Sequence, residues 1–173
     1  MTAPRAVLVG TMGAGKTTVG RMVAGALGVG FADSDQVVEE RAGKSVQEIF
    51  VDDGEQTFRT LEREVVAELL GAHDGVLSLG GGAVLDPATR ELLADHHVVF
   101  LRVGLAEAVK RVGLGVGRPL LLGNVRSRVK QLLDERTPIY EGVARTTVET
   151  DERPAADVAA DVVAAIAALE ESP

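Results

Sequence analysis

Apolar residues fall along the chain in two rhythms. Short β-branched runs at Ala6–Val9, Val29–Ala32, Val76–Leu79, Val98–Val103 and Arg145–Glu149 have the length of buried strands. Between them lie longer amphipathic segments. Thr17–Leu27 reads as a helix, as does Phe58–Leu70, where Phe58, Leu61, Val65 and Leu69 share one stripe, and Pro87–Ala94 reads as a third. Val158, Val162, Ile166 and Leu169 recur at helical spacing in an Ala-rich closing helix and read as core packing. This alternation predicts a three-layer α/β/α domain, because parallel strands need crossovers, and these are usually helical and right-handed. Ligands then belong at the carboxyl ends of the strands.

Two stretches depart from the rhythm. Leu79-Gly80-Gly81-Gly82-Ala83-Val84 puts three glycines where an apolar run stops, which means either a tight turn or a backbone that something must approach closely. Gly113, Gly115, Gly117 and Gly123 bracket Arg118-Pro119 between two predicted helices, a loop that reads as a mobile lid or as plain disorder.

Composition narrows the partners. At 173 residues the chain fits one domain, 1–173, with a core large enough to need no staple, and the absence of cysteine excludes disulfides and thiolate zinc sites. The start, MTAPRAVLVG, has neither a signal-peptide layout nor transmembrane length, so the expectation is a soluble, cytoplasmic protein. With 26 Asp and Glu against 18 Lys and Arg, the net charge of -8 disfavours nucleic acid and anionic membranes. Aromatics are only 3% of the chain, which argues against base-stacking platforms and favours small polar ligands. No surplus apolar stripe or coiled-coil repeat is evident, and a monomer is expected.

The chemistry begins at Gly10-Thr11-Met12-Gly13-Ala14-Gly15-Lys16-Thr17, a full G-x-x-x-x-G-K-[ST] match placed after a strand and at the opening of a helix. Its glycines let backbone N–H groups turn toward phosphate oxygens, and the helix N-terminus adds partial positive charge. Lys16 would bridge the β- and γ-phosphates and the Thr17 hydroxyl would ligate magnesium. A dinucleotide fingerprint starting at Gly13 and Gly15 fails at Thr18, and no N-K-x-D guanine-reading motif occurs, which favours ATP. The glycine run at 80–82 is neither a second phosphate loop nor a dinucleotide fingerprint, since Leu85 stands where the last glycine would be needed.

Asp33 and Asp35 follow the second strand. If that segment stays extended, both carboxylates point the same way, toward the phosphate loop, one for the metal shell and one to orient or deprotonate an attacking hydroxyl. The alternative is that Asp33 caps a helix and Asp35 is solvated. Val76–Leu79 run into Gly80 and Val98–Leu101 into Arg102 rather than into an Asp, so Asp33 is the nearest metal-side candidate, a pattern suited to a small-molecule kinase rather than a motor. Among the arginines, Arg59 has Glu62 three residues on, Arg118 lies in the lid, Arg136 lies near the end of the helix before Pro138, and Arg153 adjoins Pro154. Each alone reads as a surface charge, while together they suggest handling of carboxylates and phosphates. His73, His96 and His97 have no metal-ligand spacing.

Taken in order, GTMGAGKTTVG at 10–20, Asp33-Ser34-Asp35, G-E-x-x-F-R-x-x-E at 54–62, LGGGAV at 79–84, Arg118-Pro119-Leu120-Leu121 and R-x-P-x-Y at 136–140 resemble the shikimate kinase family almost end to end. The resemblance implies a nucleoside-monophosphate-kinase-like P-loop kinase fold with a five-stranded parallel sheet, a lid over about 112–124 and a substrate-binding helical region over about 34–62. It also implies transfer of the ATP γ-phosphate to the 3-hydroxyl of shikimate, on the route to chorismate and aromatic amino acids. By resemblance, Asp35 holds the substrate hydroxyls and is the candidate base, Arg59 and Arg136 clamp the carboxylate, and Gly80, Gly81 and Gly82 line the pocket through backbone. The missing side chains at 80–82 further suggest an acceptor ring lying against bare backbone, with Gly81 nearest. Lys16 and Arg118 stabilise the transferring group, and Thr17 and Asp33 serve Mg2+. Gly13, Ala14, Gly15 and Thr18 cradle phosphates, with Arg111, Arg153 and Pro154 on the adenine side. The rivals are a gluconate kinase on the same fold and a non-catalytic ATP-binding module, the latter disfavoured by intact Lys16, Asp35 and Arg118.

Overall fold

A computed structural model describes residues 2–116 and 122–171, with side chains at all of these except 112–116 and 122–124. The order is β1 (Ala6–Val9), α1 (Lys16–Leu27), β2 (Phe31–Asp33), α2 (Ser34–Ala42), α3 (Val46–Asp53), α4 (Glu55–Ala72) and β3 (Val76–Ser78). A 3-10 turn (Ala83–Leu85) follows, then α5 (Pro87–Leu93), β4 (Val98–Arg102), α6 (Leu105–Val116), α7 (Leu122–Val143), β5 (Thr146–Glu149) and α8 (Ala155–Glu171). The strands form one parallel sheet in the order β2-β3-β1-β4-β5. All five expected strands and their alternation with helices are present.

Strand pleating assigns the core. In β1, Ala6 and Leu8 face a cluster built with Val19 and Val23 of α1 and Val158, Val162 and Ile166 of α8, while Val7 and Val9 face one that includes Val66 and Leu70 of α4 and Tyr140 of α7. Both faces of β1 are therefore covered, as a central parallel strand requires. The chain passes from β1 to one side of the sheet and later crosses to the other, so the loop after β1 opens at a topological switch point.

The departures from expectation have local causes. Asp33 ends β2 and its side chain accepts the N–H groups of Asp35 and Gln36, so α2 starts at Ser34 and Asp33-Ser34-Asp35 is not extended. Helix α4 buries Phe58 and Val65 as expected but leaves Leu61 and Leu69 half-buried, while Val66 and Leu70 are buried. It serves two neighbours, the sheet and a small cluster with Val38 and Ile49, so its buried face is broader than one stripe. Leu169 of α8 is 38% exposed, outside the core that holds Ile166. Gly113 and Gly115 lie within α6, where Leu105, Ala108 and Val109 pack on the core and outweigh a glycine cost of about 1 kcal/mol each. Pro138 does not end α7, since Ile139, Tyr140 and Val143 beyond it pack on the sheet. Arg118 and the centre of the expected lid lie outside the described residues. No helix among the described residues is long and apolar enough to cross a membrane.

Candidate active site

The loops at the carboxyl ends of β1, β2 and β3 enclose a cavity of about 710 Å3, lined by P-loop residues together with Asp33, Asp35, Gly80, Gly81 and Arg136. Gly13 and Gly15 have φ of 84° and 92°, in the left-handed region that side chains disfavour, which turns the P-loop backbone inward ahead of α1. The Lys16 ammonium donates to the carbonyls of Gly10 (2.6 Å) and Thr11 (3.1 Å). Its burial lowers the pKa to about 8, against the opposing pull of Asp35 and Asp33.

Asp33 does two jobs. One carboxylate oxygen caps α2 and the other accepts the Thr17 hydroxyl at 3.2 Å. A hydroxyl and a carboxylate at the mouth of a P-loop suit magnesium, which favours oxygen ligands and completes its shell with water and phosphate. Among the described residues no group of three or more His, Cys, Asp or Glu could hold a metal, so any bound ion would lean on such outside ligands. Asp35, in the first turn of α2, is half-buried, and its Oδ1 is a buried oxygen with no partner. Burial first, and the Asp33 charge second, raise its pKa. A buried carboxylate oxygen left without a protein donor beside a phosphate-binding loop can accept one from outside the chain.

The glycine turn explains itself in space rather than in torsion angles. None of Gly80, Gly81 and Gly82 has a positive φ. A Cβ on Gly80 would collide with the Asp35 carboxylate, and one on Gly82 would sit 2.5 Å from both terminal nitrogens of Arg59. At Gly81 the nearest neighbour, Arg136 Nη1, would be 3.4 Å away, close to ordinary contact. Each glycine thus lies under a different site side chain, carried by α2, α7 and α4 respectively. Among the described residues the N–H groups of Gly81 and Gly82 meet no protein acceptor, leaving two donors at the turn.

Arg59 is held by Glu62 at 2.8 Å, the i,i+3 pair that the spacing offers, and its guanidinium also lies 5.3 Å from the centroid of the Phe58 ring. Glu62 is only 4% exposed; burial raises its pKa, and the hydrogen bond and charge of Arg59 pull it back. This ion pair fixes the guanidinium over Gly82; neither Arg59 nor Gly82 lines the cavity itself, which the glycine turn reaches through Gly80 and Gly81.

On the other side of the P-loop a smaller hollow of about 180 Å3 is lined by Gly13, Ala14, Gly15, Thr18, Arg111, Thr150 and Arg153. Arg111 donates to Gly13 O (2.8 Å) and Thr150 O (3.2 Å), tying the P-loop to the segment after β5. Arg153 turns to α8 and pairs with Asp161 at 2.7 Å. Pro154 is exposed and does not line the hollow, whereas Ala155 does. His73 and His97 hydrogen-bond to Val76 O and the Thr146 hydroxyl, away from the cavity.

The structure therefore brings together Lys16, Thr17, Asp33, Asp35, Arg59, Arg136 and the glycine turn. Sequence reasoning gave no role to Ser34, which accepts the Gly80 N–H, or to Tyr140, which donates to Gly81 O, although Tyr140 stood in the R-x-P-x-Y pattern. It also missed Val46, Gln47 and Leu132, which line the cavity and carry no motif.

Comparison with known proteins agrees with this geometry. The family model described as shikimate kinase matches residues 12–167. A shikimate kinase of Thermobifida fusca is 60% identical over 149 residues, 86% of this chain and 87% of that one. The structure of shikimate kinase from Acinetobacter baumannii in complex with shikimate is 37% identical with a TM-score of 0.89, covering 99% of this chain and 97% of that one. A gluconokinase from Sinorhizobium meliloti, 21% identical with a TM-score of 0.63 over 96% of this chain and 93% of that one, shares the fold alone.

Proposed function

The chain belongs to the shikimate kinase family, an ATP-dependent kinase family, and from that premise we propose that it transfers the γ-phosphate of Mg-ATP to the 3-hydroxyl of shikimate. The observation that carries this reading is the orphaned Asp35 Oδ1, buried against Gly80 in a glycine turn whose next two residues lie under the guanidinium groups of Arg136 and Arg59. Shikimate is a carboxylated polyol. Arg59 and Arg136 offer forks for its carboxylate, and Asp35 offers an acceptor for its hydroxyls.

In the proposed reaction the Asp35 carboxylate accepts the hydrogen bond of the attacking hydroxyl, aligns its lone pair and takes up its proton as the new oxygen–phosphorus bond forms and the bond from the γ-phosphorus to the bridging oxygen breaks, releasing ADP. Lys16 neutralises charge on the phosphate oxygens, and the Gly13–Thr18 backbone holds them. Thr17 and Asp33 would hold magnesium, which when bound would supply charge neutralisation at the phosphates. Arg118 is proposed for the same phosphoryl group on its motif alone. Arg111 is proposed on the adenine side, with Arg153 and Pro154 at its margin. The protein is proposed to work as a cytoplasmic monomer.

A coupled assay of ADP release from Mg-ATP, run with shikimate and with gluconate, tests the reading. Rapid turnover with shikimate and negligible turnover with gluconate is expected, and the reverse preference would overturn it. Tight binding of ATP and shikimate without phosphoryl transfer would instead support a non-catalytic module.

A further inference from the structure

Three consecutive glycines leave the backbone free to sample many conformations, yet a site that uses that backbone needs it fixed. Within the turn only two short bonds help, Ala83 N–H to Gly80 O (3.1 Å) and Leu85 N–H to Gly82 O (3.1 Å). Two hydroxyls from other elements do the rest. Ser34, at the start of α2 and wholly buried, accepts the Gly80 N–H at 3.0 Å. Tyr140, in α7 and 1% exposed, donates to Gly81 O at 2.6 Å.

We infer that Ser34 and Tyr140 are positioning residues for phosphoryl transfer: their hydroxyls hold the Gly80–Gly81 backbone and thereby fix the glycine turn against the cavity that Gly80 and Gly81 line. Each tether stands next to a site residue. Ser34 precedes Asp35, and Tyr140 lies one turn beyond Arg136 on the same side of α7. The two hydroxyls therefore set the distance from the turn to a carboxylate on one element and to a guanidinium on another. The Tyr140 ring separately packs on Phe100, with centroids 5.1 Å apart, so the hydroxyl can be removed while the ring stays.

This inference rests on the proposal that the turn faces the acceptor. The test uses the full chain with Tyr140→Phe and Ser34→Ala, measuring KM for each substrate, kcat, the thermal midpoint and amide exchange of the peptide spanning 79–84. Each variant is expected to raise KM for shikimate about tenfold, with KM for ATP changed by less than about twofold, and to speed exchange within that peptide alone. A lowered thermal midpoint with KM for shikimate and kcat unchanged would show a merely structural role and overturn the inference, as would equal rises in both KM values. Should Ser34→Ala fail to fold, the near-isosteric Tyr140→Phe decides. Should the unmodified chain fail to phosphorylate shikimate, the proposed function falls, and exchange still decides the tethers: faster exchange confined to 79–84 supports them and unchanged exchange refutes them.

Discussion

Gly82 lies directly beneath Arg59, so close that a Cβ would stand 2.5 Å from both terminal nitrogens of the guanidinium. The atoms in the way are the far end of a long side chain, so the fold can survive the addition while Arg59 loses its place. Gly82→Ala is expected to melt near the wild type and to lower kcat/KM for shikimate by about 100-fold. Gly81→Ala, whose nearest neighbour would be 3.4 Å away, is expected to stay within about threefold. Kinetics and thermal melts of the two variants side by side check this ordering.

Arg136→Ala and Arg59→Ala each remove a charge-assisted contact to the proposed carboxylate, worth about 2 kcal/mol. Titration calorimetry is expected to show shikimate affinity falling about 30-fold and ATP affinity scarcely changing. Equal losses for both ligands would refute the carboxylate role. Arg59→Ala also strands the buried Glu62, so its thermal midpoint is expected to fall further than that of Arg136→Ala.

The pH dependence follows from Lys16. Its folded pKa is about 8 against an ordinary value of 10.5, so the free enzyme loses this charge as pH rises through about 8. ATP affinity is expected to decline across that range, and Lys16→Arg, whose charge persists, is expected to lose the decline whatever its overall affinity. The linkage to stability has the opposite sense. Between about 8 and 10.5 the unfolded chain binds more protons at this position than the folded one, so Lys16 adds stability as pH rises through that window.

As the proposed base, Asp35 is expected to trade stability for chemistry. Its raised folded pKa means that the folded state favours the protonated form, a stabilisation gained at low pH and lost as pH rises through the folded pKa. Wherever it is ionised, the group is a burden to the fold. Asp35→Asn, which removes the charge, is expected to raise the thermal midpoint by about 2–4 °C while reducing kcat by about 1000-fold or more. A lowered midpoint in calorimetry would contradict this account of the carboxylate.

Much of this was legible in the chain because it is local. The strand runs, the P-loop and the helix stripes depend on neighbours within a few residues, and the alternation alone dictates a parallel sheet with its site at the strand ends. What was illegible is relational. The glycine run offered a turn or a close approach, and only the arrival of Asp35 and Arg59 from α2 and α4 decides for close approach. Asp33 offered a helix cap or a metal-side acid, and in the structure one oxygen caps α2 while the other accepts the Thr17 hydroxyl, so the two readings do not exclude each other. Pro138 read as a stop because proline breaks an isolated helix, yet the packing of Tyr140 and Val143 carries α7 past it. Tyr140 belongs to the turn only through a bond spanning 59 positions of sequence.

The central claim is that the γ-phosphate goes to a shikimate hydroxyl held by Asp35. Phosphorus and proton NMR of the product formed from Mg-ATP and shikimate tests it most directly. A single phosphate monoester coupled to the proton on carbon 3 is the predicted result; inorganic phosphate alone, or an ester at another hydroxyl, would contradict it.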